Sequence, residues 1–97
     1  MTLSTSIITL SSRVTIPDDV LFQELGGEAV ILDLASECYF GLDGVGTRFW
    51  ELIQQDPSVQ AAYDALLDEY EVEALQLQGD LLALIENLLE AGLVRVE

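Results

Sequence analysis

Between Glu37 and Leu52 the chain changes its hydrophobic period. In ECYFGLDGVGTRFWEL, Cys38, Phe40 and Leu42 alternate with Glu37, Tyr39 and Gly41, the period of two of a half-exposed strand. Asp43 then offers a side-chain oxygen to free amide donors, as a helix N-cap does. Beyond it Val45, Phe49, Leu52 and Ile53 recur at helical spacing. Upstream, VLFQEL and EAVILDL read as two further strands, and the Gly26-Gly27 pair between them reads as a hairpin turn because glycine takes positive φ freely. Ala35-Ser36 or Ser36-Glu37 supplies the next reversal. The pattern therefore predicts a three-stranded antiparallel meander. Val14 and Ile16 suit the start of another strand, which Pro17-Asp18-Asp19 punctuates. Residues 1–12 are rich in Ser and Thr around Ile7, Ile8 and Leu10, and read as either a loose tail or an accessory strand.

The second half is helical. A first helix runs from about Val45 to Gln54. Asp56-Pro57-Ser58 ends it and opens the next, with Pro57 near the first helical position, where a missing N–H does no harm. The second helix carries Val59, Ala62, Tyr63, Leu66, Leu67 and Tyr70 as an apolar stripe. A third runs from about Glu73 to Ala91, with Gly92 as its C′ residue, and Leu93-Val94-Arg95-Val96 suits a short final strand. On the third helix Leu75, Leu77, Leu81, Leu82, Leu84, Ile85, Leu88 and Leu89 cover an arc of about 180°, against the roughly 100° that a surface helix needs. Asp80, Glu86, Asn87 and Glu90 take the other side. The surplus faces either a core that wraps both flanks of the helix, a second copy of the chain, or a ligand.

Charge changes the picture. The 97 residues hold 18 acids against Arg13, Arg48 and Arg95, with no Lys and no His, a formal net charge of -15. Nucleic acid and anionic membrane are poor partners for such a chain, because both are bound through clustered cations. A cationic or neutral peptide, or a basic protein face, suits it better. A winged-helix DNA regulator is disfavoured because the second helix has no cation between Ser58 and Tyr70. A nucleic-acid-mimicking module is the other alternative that the charge allows. Catalytic chemistry is scarce: there is no Gly-rich phosphate loop and no Cys/His metal set, so neither cofactor nor metal is expected. Cys38, the single cysteine, lacks a His to activate it and reads as a small buried hydrophobe. Trp50 reads as a core aromatic, and Tyr39 as a half-buried sheet residue. No secretory signal and no apolar run of about 20 residues is visible, which makes the cytoplasm the default location.

The run VLFQELGGEAVILDLASECYFGLDGVGTRFWELI, followed by YDALLDEYEVEALQLQGDLLALIENLLEAGLV, resembles the PqqD family of small peptide chaperones, also called RiPP recognition elements. The pieces that carry the resemblance are Tyr39-Phe40-Gly41-Leu42, Gly46-Thr47-Arg48-Phe49-Trp50, Tyr70 with its acidic break, and Ala91-Gly92-Leu93-Val94. It spans about residues 13–97 as one leader-peptide-binding domain and leaves residues 1–12 outside. The resemblance implies an α+β, winged helix-turn-helix-like fold of three antiparallel strands followed by three helices. It implies a non-catalytic role in which the leader of a ribosomally made precursor adds as a strand and is presented to modifying enzymes. The implied slot comprises Glu37, Cys38, Tyr39, Phe40, Gly41 and Leu42 on the strand, and Leu77, Asp80, Leu81, Leu84 and Leu88 on the last helix. The implied partners are the leader peptide with a leader peptidase and cyclase, as in lasso-peptide clusters, or a radical-SAM maturase. The chain itself is expected as monomer or homodimer.

Overall fold

The computed structural model describes residues 8–26 and 28–97. Strands β1 (Val14–Thr15), β2 (Val20–Leu25), β3 (Glu28–Asp33) and β4 (Cys38–Leu42) precede helices α1 (Gly44–Gln55), α2 (Val59–Glu69) and α3 (Ala74–Glu90), and β5 (Arg95–Val96) closes the chain. The meander forms as expected, in the order β2-β3-β4 and antiparallel throughout. Its register aligns Phe22, Ile31 and Phe40 in one row across the sheet. Because side chains alternate faces, Phe22, Ala29, Ile31, Phe40 and Leu42 turn inward, while Leu21, Val30, Leu32 and Tyr39 turn out.

The two reversals differ in chemistry. Gly26 takes φ +64 at the β2–β3 turn, and Gly27, its expected partner there, lies outside the described residues. From β3 to β4 the Asp33 carboxylate organises the turn. Its Oδ1 accepts from the Ala35 N–H at 3.2 Å and its Oδ2 from the Ser36 hydroxyl at 2.8 Å. The Glu37 N–H donates to the Asp33 carbonyl at 2.8 Å. Glu37 closes this turn at φ +60, so it belongs to the reversal, and the strand begins one residue later than the alternation suggests. Residues 1–7 of the expected N-terminal tail or strand also lie outside the described residues. Residues 9–12 make a turn held by Thr9 and Ser12, while Ile8 and Leu10 pack against the core.

Asp43 caps α1, its Oδ1 accepting from the Gly46 N–H at 2.8 Å. A Cβ at position 46 would stand 3.2 Å from that oxygen and 3.2 Å from Leu42 Cδ2, so the cap closes tightly only on glycine. Phe49, Trp50 and Ile53 are buried on the inner face of α1, and the Trp50 indole stacks on Phe22 with ring centroids 6.4 Å apart. Among the described residues the indole N–H finds no acceptor. Its burial rests on ring packing alone, since such an orphan donor costs about 1–3 kcal/mol. Ser58 caps α2 through the Ala61 N–H at 3.1 Å. Pro57 therefore stands before the cap rather than inside the helix as expected. Its carbonyl accepts from the Val14 N–H at 2.8 Å.

Two polar links join the helices. The Arg48 Nε and Nη2 donate to both Glu69 oxygens at 2.8 Å, fastening α1 to α2. The Tyr63 hydroxyl donates to the Ala74 carbonyl at 3.1 Å, fastening α2 to the first residue of α3. The latter helix ends at Gly92, φ +77, with the Gly92 N–H bonded to the Leu89 carbonyl and the Leu93 N–H to the Leu88 carbonyl at 2.9 Å. This is the Schellman closure. It sends the chain back so that β5 pairs antiparallel with β1, Val14 opposite Val96, with Arg13 and Glu97 exchanging both main-chain bonds beyond it. The sequence suggested both short strands but not their pairing. Leu77, Leu81, Ile85 and Leu88 of α3 complete the core with Val59, Ala62, Tyr63, Leu66, Leu93 and Val94. No helix among the described residues is long and apolar enough to cross a membrane.

Gly92→Ala forces a side chain into left-handed backbone and should lower stability by about 1–2 kcal/mol in urea unfolding; an unchanged midpoint would show that the closure contributes nothing. The hydrogen bonds from Arg48 hold the Glu69 carboxyl below its ordinary range. A depressed acid stabilises the fold above its unfolded pKa and loses that effect as pH falls through the folded one. Glu69→Gln should therefore lower the melting temperature at pH 7, and the gap to wild type should close below about pH 4. A gap that persists in acid would assign the effect to packing instead.

Candidate functional site

β4 is an edge strand. It pairs with β3 on one side, and among the described residues nothing pairs with the other, which leaves main-chain N–H and C=O groups there free. Such a row is a template for a further strand. Past the C-terminal end of β4 a cleft of about 220 Å³ opens. One wall is Asp43, Val45 and Gly46, where the strand turns into α1. The other is Val72 from the α2–α3 connection with Gln76, Leu77, Asp80, Leu81 and Leu84 of α3. A more open hollow of about 410 Å³ continues beyond Asp43, along Gly41 and Leu42 to Leu25, Glu28, Ala29 and Val30. Asp43 borders both. The cleft is smaller than the roughly 300–1,000 Å³ typical of small-molecule sites. It is a partly open trough with a mainly apolar lining.

The strand residues named from the sequence divide by face and position. Phe40 is half-buried and Leu42 buried, both turned inward. Gly41 is exposed, and a Cβ built there meets nothing within 4 Å, so the outer face of the sheet is open at this position. Tyr39 is 75% exposed on the outer face and not half-buried, because among the described residues no helix covers that side of the sheet. Cys38 is exposed rather than a buried hydrophobe. It stands at the very start of β4, and its thiol donates to the Ser36 carbonyl at 3.7 Å. Glu37 lies in the preceding turn.

On α3 the sequence-named residues also separate. Asp80 and Leu84 stand at the mouth of the cleft. Leu77 and Leu81 form its floor, at 4% and 2% exposure. Leu88 is fully buried in the core and does not line the cleft. The apolar surplus of the helix is thus shared: Leu77, Leu81, Ile85 and Leu88 are core, half-buried Leu84 and Leu89 pack against it, and Leu82 with exposed Leu75 is what remains over. Sequence reasoning missed Asp43, Val45, Val72 and Gln76 as wall residues. Asp43 was legible only as a cap, and Val72 only as an apolar residue stranded in an acidic break.

The local field is negative. Asp43 and Asp80 face the cleft, and among the described residues the ion pairs are those of Arg48 with Glu69 and Glu51. Asp80 accepts from the Gln76 amide at 3.1 and 3.2 Å. Among the described residues no group of His, Cys, Asp and Glu is arranged to hold a metal ion.

The family model described as "Coenzyme PQQ synthesis protein D (PqqD)" matches residues 28–94. A solved structure, "TbiB1 in Complex with the TbiA(beta) Leader Peptide", is similar at 32% sequence identity and a TM-score of 0.78, covering 84% of this chain and 94% of that one. The comparison with curated proteins gave no match.

Floor and wall should respond differently to substitution. Leu81→Ala is expected to cost about 2–4 kcal/mol in urea unfolding as a cavity in the core, and Leu84→Ser about 1 kcal/mol or less. Equal losses would place both side chains in the core and leave Val45 and Val72 as the apolar walls of the cleft.

Proposed function

The chain belongs to the PqqD family, and from that membership and the open edge of β4 we propose that it binds the leader segment of a ribosomally made precursor peptide and presents it to modifying enzymes. The observation that carries this reading is the coincidence of a free strand edge with an apolar trough at its end. An added strand draws affinity from main-chain hydrogen bonds and specificity from pockets for alternate side chains. β4 supplies the first, and Val45, Leu77, Leu81 and Leu84 the second. The similarity to a structure solved with a leader peptide supports the same reading.

In this reading the residues of the slot are Cys38 to Leu42 on the strand and Leu77, Asp80, Leu81 and Leu84 on α3, joined by Asp43, Val45 and Val72. Leu88 belongs to the core and not to the slot. The protein does no chemistry itself. It raises the local concentration of the precursor for a second protein, which on the family resemblance is a leader peptidase with a cyclase or a radical-SAM maturase.

The test is an N-methyl scan of a leader peptide that binds the chain, the TbiA(beta) leader of the similar structure being the first probe, read by calorimetric titration. Strand addition predicts that methylation at every second residue weakens binding by at least about fivefold, the effect of one lost hydrogen bond of about 1 kcal/mol, while the residues between are tolerant. Uniform tolerance along the peptide would overturn strand addition.

A further inference from the structure

Any chain that covers the trough strips water from carboxylates that have no cation partner among the described residues. Asp43 and Asp80 stand on its two walls among Val45, Val72, Leu77, Leu81 and Leu84. The Asp43 Oδ1 takes the Gly46 N–H, and no donor from the described residues reaches Oδ2. Asp80 shares a single amide donor between both oxygens. A carboxylate offers about four acceptor positions, so most of this capacity is met by solvent. The chain has no Lys, Arg48 is engaged by Glu69 and Glu51, and Arg13 and Arg95 belong to the β1–β5 seam.

We propose, resting on the reading of this trough as a peptide slot, that Asp43 and Asp80 make it selective for peptides carrying a Lys or Arg beside their apolar anchors. A purely apolar occupant would desolvate both carboxylates without compensation, and an acidic one would be repelled. A Lys or Arg meets both demands of the site. Its aliphatic stem lies along the leucine wall while its charged head reaches the carboxylates. The apolar surroundings strengthen the attraction relative to open water. Asp43 is the stronger discriminator, because it borders the cleft and the hollow beyond it, so a chain occupying both passes it.

Two isosteric variants isolate the charge. Asparagine caps helices as well as aspartate, so Asp43→Asn keeps α1 intact, and Asp80→Asn keeps an acceptor for Gln76; unchanged thermal melts verify this. A random twelve-residue peptide display library is selected on immobilised wild type and on the double variant. Wild-type selections should be enriched in Lys or Arg at a fixed spacing from aliphatic residues, and double-variant selections should lose that enrichment. Individual wild-type binders should weaken about two- to fivefold per variant at 50 mM salt, with the difference vanishing at 0.5 M. Selections without cationic enrichment, or variants that bind as tightly as wild type, overturn the proposal. Leu84→Asp separates the two levels. If it abolishes binding while the asparagine variants do not, only the charge selectivity fails; if it too binds normally, the trough is not the slot and both readings fall.

Discussion

Burial of Phe49 and Trp50 between the sheet and the other helices is the contact on which the placement of the remaining elements depends. α1 packs on β1, β3, β4 and α2, and α3 reaches the body of the protein largely through α2. The separation of α3 from the end of β4 is therefore set indirectly. Stacking of Trp50 on Phe22 fixes α1 on the sheet, the Arg48–Glu69 pair fixes α2 on α1, and the Tyr63 hydroxyl fixes the start of α3 on α2. Of the cleft residues, Leu77 and Leu81 are also core and Asp43 with Gly46 forms the α1 cap, while Val45, Val72, Gln76, Asp80 and Leu84 take no part in these links. That division leaves the wall side chains free to be chosen for what they bind.

Much of this was legible in the chain because it depends on local chemistry. Asp43 and Gly92 mark helix ends through interactions with their immediate neighbours, and they do so in the structure; Asp56-Pro57-Ser58 marked the break between α1 and α2, but the cap falls on Ser58, after Pro57. The switch from a period of two to a helical period at Asp43 located β4 and α1. The Leu-rich stripe of α3 was visible too, but periodicity gives only an angle around the helix and not the neighbour that covers it. Leu81, Leu84 and Leu88 obey the same pattern, yet they lie in floor, wall and core. Glu37 falls in the reversal, as the Ser36-Glu37 alternative has it, and not on the strand, because the Asp33 carboxylate and one positive φ decide the length of that turn; Cys38 is on the strand as expected but exposed, since alternation gives a face and not its cover. The pairing of β1 with β5 joins segments at opposite ends of the chain, and no local signal specifies it.

The acidity of the protein has a structural side as well. A bare strand edge invites pairing with a second copy. Here β4 is short, and the net charge makes two copies repel each other over a Debye length of about 10 Å at ordinary salt. The same field attracts a cationic strand. The charge thus opposes pairing with a second copy and, on the reading proposed above, favours a cationic strand.

Trp50 has a practical consequence. It is the chain's single tryptophan, entirely shielded from water and seated against a phenylalanine. Its fluorescence emission therefore reports the integrity of the interior, while the cleft is lined by other residues. Intrinsic emission can track denaturation of a variant in the same cuvette where a dye-labelled peptide tracks occupancy. The two signals give loss of structure and loss of recognition separate optical channels.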